Sequence, residues 1–397
     1  MNQSLKQYLV VTATYWAFTI TDGALRMLVV LYFFQLGYSA LEIAMLFLLY
    51  EFFGVVTNLF GGWLGARLGL NRTMHIGVLL QVVALAMLAV NASWLSVPYV
   101  MAAQALSGIA KDLNKMSAKS AIKFLLPAQA QQGALYKWVA ILTGSKNALK
   151  GFGFFLGAAL LSLIGFQASL LSMSTVLIVV FIFSVLMLQG EMGKTQYKAK
   201  FKHLFSKSRS INTLSAARLF LFGARDVWFV VALPVYFEVA LGWSHTQVGT
   251  FMALWIIGYG FVQGIAPKLT GLNRGKIPDG RTAFVWILPL LLIPALIAAP
   301  LFFGLNAEWF IVGGLLLFGA LFAVNSSVHS FLILAYSKEE GVSLDVGFYY
   351  MANAMGRLIG TVLSGLVYQY AGLEACLLIS SIFLLITAFI SIALPKH

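Results

Sequence analysis

LGYSALEI at residues 36–43 returns as LGWSHTQV at residues 241–248. Each copy is Leu-Gly-aromatic-Ser, with Glu or Gln three residues after the serine. That spacing is a capping box, in which the two side chains satisfy free N–H groups at a helix start. Ser39 with Glu42, and Ser244 with Gln247, are each expected to open a helix. Downstream, Gly62 and the run GLNR at 69–72 match Gly264 and GLNR at 271–274. The first match is offset by 205 positions and the second by 202, so three residues are lost inside one helix. Asp22 and Asp226 lie 204 positions apart in the preceding apolar runs. A chain of 397 residues that repeats itself near its midpoint reads as two parallel halves. Transporters built this way place their substrate site near the bilayer midplane, at the repeat interface.

The composition agrees with a membrane setting. Hydrophobic residues make up 60% of the chain and charged residues 10%, whereas soluble domains carry about 25% charged residues. Apolar runs long enough to span a bilayer recur throughout. The expected fold class is an all-α membrane protein with twelve transmembrane helices in two pseudo-symmetric six-helix halves. The spans are placed at 7–34, 41–66, 74–92, 96–123, 133–164, 167–188, 212–240, 245–268, 282–304, 308–336, 342–369 and 372–394. The halves are 1–188 and 212–397, joined by a basic linker at 189–211 that contains KTQYKAKFKHLFSKSR. Six residues precede the first apolar run, and that run is full length, so no cleavable signal peptide is expected.

Charge sets the orientation. Loops at 35–40, 93–95, 165–166, 241–244, 305–307 and 370–371 carry no Lys or Arg. The opposite side carries Arg67, Arg72, the linker lysines, Lys268, Arg274, Lys276, Arg281, Lys338 and Lys396. The positive-inside rule then places both termini and the linker in the cytoplasm. The same rule accounts for much of the net charge of +13, so nucleic acid is not an expected partner. The lone Cys376 excludes an intramolecular disulfide and any site built on several thiolates. Five scattered histidines without H-x-x-x-H predict no metal site, and no cofactor is expected. Without a G-x-x-x-x-G-K-[ST] motif, ATP is not the expected direct energy source.

The interior charges carry the functional reading. SGIAKDLNKMSAKSAIK at 107–123 places Lys111, Lys115, Lys119 and Lys123 on one drifting helical stripe. Lys146 and Lys150 repeat the spacing. Each intramembrane cation costs roughly 2.5–3.5 kcal/mol on insertion scales, and such residues are functional candidates by default. Counting Arg26, Lys111, Lys115, Lys146, Lys150, Arg218, Arg225 and Arg357 against Asp22, Glu51, Asp112, Asp226 and Asp345 leaves a surplus of three positive charges. The expected partner is therefore a small anionic substrate. Arg offers a planar fork to an oxyanion and Lys a point charge. Candidate substrate ligands are Arg26, Lys111, Lys115, Lys146, Lys150, Arg225 and Arg357, with Asn147, Asn325, His329, Tyr349 and Asn353 as neutral donors and acceptors. Ser326 belongs to the same polar run. Asp22, Glu51, Asp112 and Asp226 are proton-coupling candidates. Competing structural roles are an Asp22–Arg26 pair at i,i+4, a Glu51 hydrogen bond to span 11, a packed His329, and Lys119 and Lys123 as interfacial anchors.

The loop after span 2 resembles the major facilitator superfamily, whose pattern there is met by Gly62, Arg67, Gly69 and Arg72 as a gating loop. Ala66 stands where the family has an acid, Gln104 where span 4 has Arg, and Ala158 where the span 5 antiporter pattern has Pro beside Gly144, Gly153 and Gly157. The resemblance implies that spans 1, 4, 7 and 10 line a cavity, flanked by 2, 5, 8 and 11. The departures put family-style gating and proton coupling in question. TDGALRMLVVL, QALSGIAKDLNKMSAKSA, LTGSKNALKG and LFSKSRSINTLSAARLFLFGARDVWFVV resemble ArsJ-type organoarsenical efflux permeases. That resemblance implies export of 1-arseno-3-phosphoglycerate. Proton antiport is the default expectation for such export, by a monomeric transporter in the lipid bilayer of a bacterial inner membrane. The resemblance also implies a functional link to the glyceraldehyde-3-phosphate dehydrogenase that makes the ester. Another phosphorylated metabolite is the alternative substrate, and an enzyme is not expected.

Overall fold

A computed structural model describes residues 3–38, 40–125, 132–188, 192, 194, 208–303, 308–338 and 341–396. The helices are α1 (Gln3–Gln35), α2 (Ala40–Leu46), α3 (Leu48–Leu68), α4 (Leu70–Leu88), α5 (Val97–Leu125) and α6 (Gln132–Met187). They continue as α7 (Arg209–Phe229), α8 (Ala232–Val239), α9 (His245–Leu269), α10 (Gly280–Phe302), α11 (Glu308–Tyr336) and α12 (Val342–Ile392). No strand occurs among the described residues. Eight of the described helical stretches are long and apolar enough to cross a membrane.

Local chemistry explains where the helices break. α6 and α12 turn sharply at Gly165 (φ 78°) and Gly372 (φ 76°), a backbone region that glycine enters without a Cβ penalty. Gly69 (φ 89°) separates α3 from α4, and Gly271 (φ 89°) follows α9, so both GLNR runs begin on a positive-φ glycine; ψ differs, at 154° and 21°, and only the first run leads straight into a long helix. Ser244 opens α9 as the sequence predicts: its hydroxyl accepts from the Gln247 N–H, and the Gln247 side chain accepts from the Ser244 N–H. Its counterpart Ser39 lies outside the described residues, as does most of the linker. Helix α7 begins inside the expected linker, at Arg209, because Ser208 caps the Ile211 N–H. The expected span 41–66 is interrupted at Phe47, and the expected span 212–240 between α7 and α8.

The chain forms two compact units. Unit 1 holds Met1–Ala130, Ser145–Ser206 and Ser337–Met351; unit 2 holds Gln131–Gly144, Lys207–Tyr336 and Ala352–His397. Unit 1 packs around Leu28, Phe33, Leu85 and Leu170. Unit 2 packs around an aromatic core in which Trp228 meets Phe318 edge to face at 5.0 Å.

Glycines set the closest helix approaches. In unit 1, a Cβ at Gly153 of α6 would lie 2.5 Å from the Ile20 carbonyl oxygen of α1, and one at Gly157 would strike the Ala24 carbonyl. In unit 2, a Cβ at Gly356 of α12 would strike the Leu219 carbonyl of α7, and one at Gly360 would lie 2.8 Å from that of Gly223. Small residues let membrane helices pack backbone to backbone in this way. The α6 and α12 glycines are 203 positions apart, but their partners on α1 and α7 are 199 apart. Packing therefore equates Arg26 with Arg225, not Asp22 with Asp226.

A second crossing occurs once in each unit. Gly62 of α3 meets Ser343 and Gly347 of α12 in unit 1, and Gly144 of α6 meets Gly260 and Gly264 of α9 in unit 2. Gly153→Leu is expected to push α6 off α1, at the roughly 1–3 kcal/mol typical of overpacking. A lowered unfolding temperature of the purified protein would report it; an unchanged one would mean that the crossing is loose.

Candidate functional site

In unit 1 the site grows from the contact of α5 with α3. A Cβ at Gly108 would lie 2.5 Å from the Tyr50 carbonyl oxygen, so the two backbones touch there. One turn farther along α5, Lys111 Nζ sits 3.8 Å from the centroid of the Tyr50 ring. The Arg26 guanidinium, from α1, is 5.0 Å from the same ring and 5.0 Å from that of Phe47. Arg26 Nη2 also donates to Glu51 Oε1 at 3.1 Å. The Tyr50 hydroxyl donates to Asp22 Oδ1 at 2.6 Å, and Lys150 Nζ of α6 lies 3.1 Å from Asp22 Oδ2. Asp112 takes Lys115 at 2.5 Å and Lys111 at 3.8 Å. Lys146 donates to Asn147 Oδ1 at 3.1 Å, and Trp16 Nε1 to Ser145 Oγ at 2.8 Å.

Exposure orders these charges by depth. The side chains of Asp22 and Asp112 are 5% and 2% exposed, those of Lys111, Lys115, Lys150 and Arg26 between 14% and 30%. The two aspartates sit behind and the cations in front, while Glu51, 29% exposed, lies at the depth of its partner Arg26; the four cations outnumber the one accessible acid. These contacts bear on four of the competing structural roles. Asp22 pairs with Lys150, not with Arg26 one turn away. Glu51 pairs with Arg26 of α1. Lys119 is buried, at 5% exposed, and lies 5.4 Å from the Tyr350 ring rather than at an interface. Lys123 donates to the Ser337 carbonyl oxygen. Lys115 also faces Tyr350, at 4.7 Å, and the neighbouring Tyr349 is fully buried.

Unit 2 carries its own cluster. Asp226 has no exposed side-chain surface. Its Oδ1 accepts from Arg225 Nε at 2.6 Å and lies 2.5 Å from Nη2, and its Oδ2 accepts from Arg357 Nε at 3.1 Å. Arg225 and Asp226, like Lys111 and Asp112, are sequence neighbours about 100° apart on their helix; the long basic side chains fold across that angle. Arg225 also lies 5.0 Å from the Phe222 ring and 5.5 Å from that of Phe322. An Asp on α1 paired with a cation on α6 thus recurs as an Asp on α7 paired with a cation on α12, about one turn farther along both helices.

Arg218 is a site residue that sequence reasoning passed over. Only 3% exposed, it donates through Nε to Asn353 Oδ1 at 2.9 Å, and through Nη1 to Ser326 Oγ at 3.1 Å and its carbonyl oxygen at 3.2 Å. Its seven-residue spacing from Arg225 was the available signal, since seven residues return to one helix face. Asn325 donates weakly to the Ala283 carbonyl oxygen at 3.4 Å. His329 is fully buried, and neither ring nitrogen has a hydrogen-bond partner among the described residues. Candidate ligands Arg26, Lys111, Lys115, Lys146, Asn147, Lys150 and Tyr349 fall in unit 1; Arg225, Asn325, His329, Asn353 and Arg357 fall in unit 2.

The sequence profile described as Major Facilitator Superfamily matches residues 10–340. The chain belongs to this superfamily. A bacterial homologue of the iron transporter ferroportin, in its outward-facing state, superposes with a TM-score of 0.76 at 15% identity, covering 99% of both chains. The human organic anion transporter MFSD10 gives 0.74 at 18% identity, and the E. coli fucose:proton symporter 0.75 at 12%, each covering 98% of both chains. At these identities the likeness shows the multi-pass fold of major facilitator transporters. No curated protein matches the chain by sequence.

Within the superfamily fold, the gating-loop residues are distinctive. Gly62 makes the α3–α12 crossing and Gly69 the break before α4. Arg67 and Arg72 are exposed, and the Arg67 guanidinium lies 5.0 Å from the Trp63 ring. Ala66, at the position of the family acid, is fully buried against Leu59, Trp63 and Leu344. An apolar contact occupies the place of a charged one. Among the described residues no group of three His, Cys, Asp or Glu could hold a metal ion. Cys376 is buried with its thiol 3.9 Å from the Ser364 carbonyl oxygen.

Proposed function

We propose that this major facilitator protein is a secondary exporter of an organic oxyanion ester, 1-arseno-3-phosphoglycerate, that works by alternating access and confers arsenate resistance. The observation that carries the reading is the depth order in unit 1: Lys111, Lys115, Lys150 and Arg26 stand in front of Asp22 and Asp112. An incoming oxyanion competes with those carboxylates for the same cations. A released carboxylate in a low-dielectric interior gains affinity for a proton, which supplies a route to proton antiport through Asp22, Glu51, Asp112 or Asp226. Arg218, Arg225 and Arg357 are the corresponding cations of unit 2, and Arg26 and Arg225 are equivalent by packing. Twelve spans with both termini cytoplasmic, a monomer in a bacterial inner membrane, and substrate supply by glyceraldehyde-3-phosphate dehydrogenase complete the reading. The substrate crosses without chemical change.

Everted membrane vesicles test it. With glyceraldehyde 3-phosphate, NAD, arsenate and the dehydrogenase outside, labelled ester or its 3-phosphoglycerate product should accumulate inside, and omission of arsenate should abolish accumulation. Accumulation independent of arsenate, competed by 3-phosphoglycerate or hexose phosphates, would instead favour transport of another phosphorylated metabolite. Accumulation unchanged by a pH gradient would remove the proton antiport.

A further inference from the structure

We propose that Tyr50 is the positioning residue of the unit 1 anion site. The proposal rests on the reading of that cluster as the place where the anion binds. Tyr50 lies in the first turn of α3 and is 2% exposed. Three side chains from two other helices meet on it. Lys111 Nζ from α5 is 3.8 Å from its ring centroid, and the Arg26 guanidinium from α1 is 5.0 Å from it. Its hydroxyl holds Asp22 Oδ1 at 2.6 Å, while Lys150 holds the other oxygen of the same carboxylate at 3.1 Å.

This arrangement separates charge. Asp22 has both oxygens engaged, one by Tyr50 and one by Lys150. Lys111 and Arg26 each meet a carboxylate, Asp112 at 3.8 Å and Glu51 at 3.1 Å, but the surface that they share is an aromatic face, which attracts a cation through its quadrupole without carrying a net negative charge. A carboxylate in the same place would neutralise them. The ring fixes where they sit and leaves their charge available to a substrate. The Gly108 contact makes the geometry possible, because any side chain there would lift α5, and Lys111 with it, from the Tyr50 backbone. Glu51, the next residue, holds Arg26 from a second side.

The ring and the hydroxyl make separable contributions, so two substitutions test them. Everted vesicles supplied with glyceraldehyde 3-phosphate, NAD, arsenate and the dehydrogenase give an apparent KM and a maximal rate per folded transporter. Tyr50→Phe keeps the ring and is expected to hold the KM within about twofold of the parent. Tyr50→Leu removes the ring and is expected to raise the KM about tenfold or more, with the maximal rate changed less than about threefold. Tyr50→Met replaces Leu if the Leu variant is not monodisperse after purification. A double-substitution cycle adds a second readout: in a Lys111→Met background, Tyr50→Leu should change the KM far less than it does alone. A parental KM in Tyr50→Leu, or equal damage from Phe and Leu, overturns the role of Tyr50. If Lys111→Met and Arg26→Met both transport normally, the reading of the cluster itself fails, and the Tyr50 proposal with it. Loss of transport in those two variants beside a normal Tyr50→Leu overturns the Tyr50 proposal alone.

Discussion

If the chain exports the arseno-ester as proposed, Lys111→Met is expected to abolish arsenate resistance in cells while the protein still reaches the membrane. Methionine keeps the length and apolar stem of lysine, so packing along α5 changes little. What disappears is one cation 3.8 Å above the Tyr50 ring, with 14% of its side chain accessible. Asp112 keeps Lys115 at 2.5 Å, so no acid is stranded. A charge-assisted contact contributes about 1.5–3 kcal/mol, or roughly ten- to a hundredfold in affinity. Growth on arsenate and vesicle uptake report the loss, and fluorescence from a fused reporter shows membrane content. Lys123→Met is the control: Lys123 is held by a backbone carbonyl away from the ring, and its loss should leave resistance near parental. Parental resistance in Lys111→Met, Arg26→Met and Arg225→Met together would remove the anion site.

Asp226→Asn is expected to be the most destabilising single change among the charges. Asp226 pairs with both Arg225 and Arg357, and it is fully buried. Removing one partner of a buried pair costs about 3–5 kcal/mol, because the remaining charge loses its compensation. Purified yield and unfolding temperature should both fall sharply. Arg225→Gln in the same chain should restore much of the yield, since only Arg357, whose side chain is 31% exposed, then needs solvent. A double variant as unstable as the single one would show that Asp226 acts through packing rather than charge. Transport in the rescued variant is still expected to fail, because Arg225 is a proposed ligand.

The parts legible from sequence are those that depend on one helix at a time. Apolar length, the Ser244–Gln247 cap and the GLNR repeat read directly, because each is settled within about eight residues. The list of interior charges was also legible, since its cost is a property of each residue. The partners were not. Asp22 chooses Lys150 over Arg26 because Gly23, Gly153 and Gly157 bring α1 and α6 into backbone contact, and no single-helix rule contains that approach. Tyr50 was missed because an aromatic residue in an apolar run carries no mark of the cations above it. Arg218 was missed as a ligand because its partners, Asn353 and Ser326, come from two distant helices. The repeat register shifted for the same reason: matching Asp22 to Asp226 compares letters, whereas matching Arg26 to Arg225 compares crossings.

The α3–α12 crossing at Gly62 and Gly347 sets an order of assembly during synthesis. Unit 1 is finished only when residues 337–351, made after most of unit 2, reach it. At roughly 5–20 residues per second, the face of α3 around Gly62 waits on the order of tens of seconds for its partner. The six helices α1–α6 are therefore made before the α12 segment that meets Gly62. Premature termination anywhere before residue 347 leaves that face of α3 uncapped, and such nascent chains become natural clients for membrane quality control.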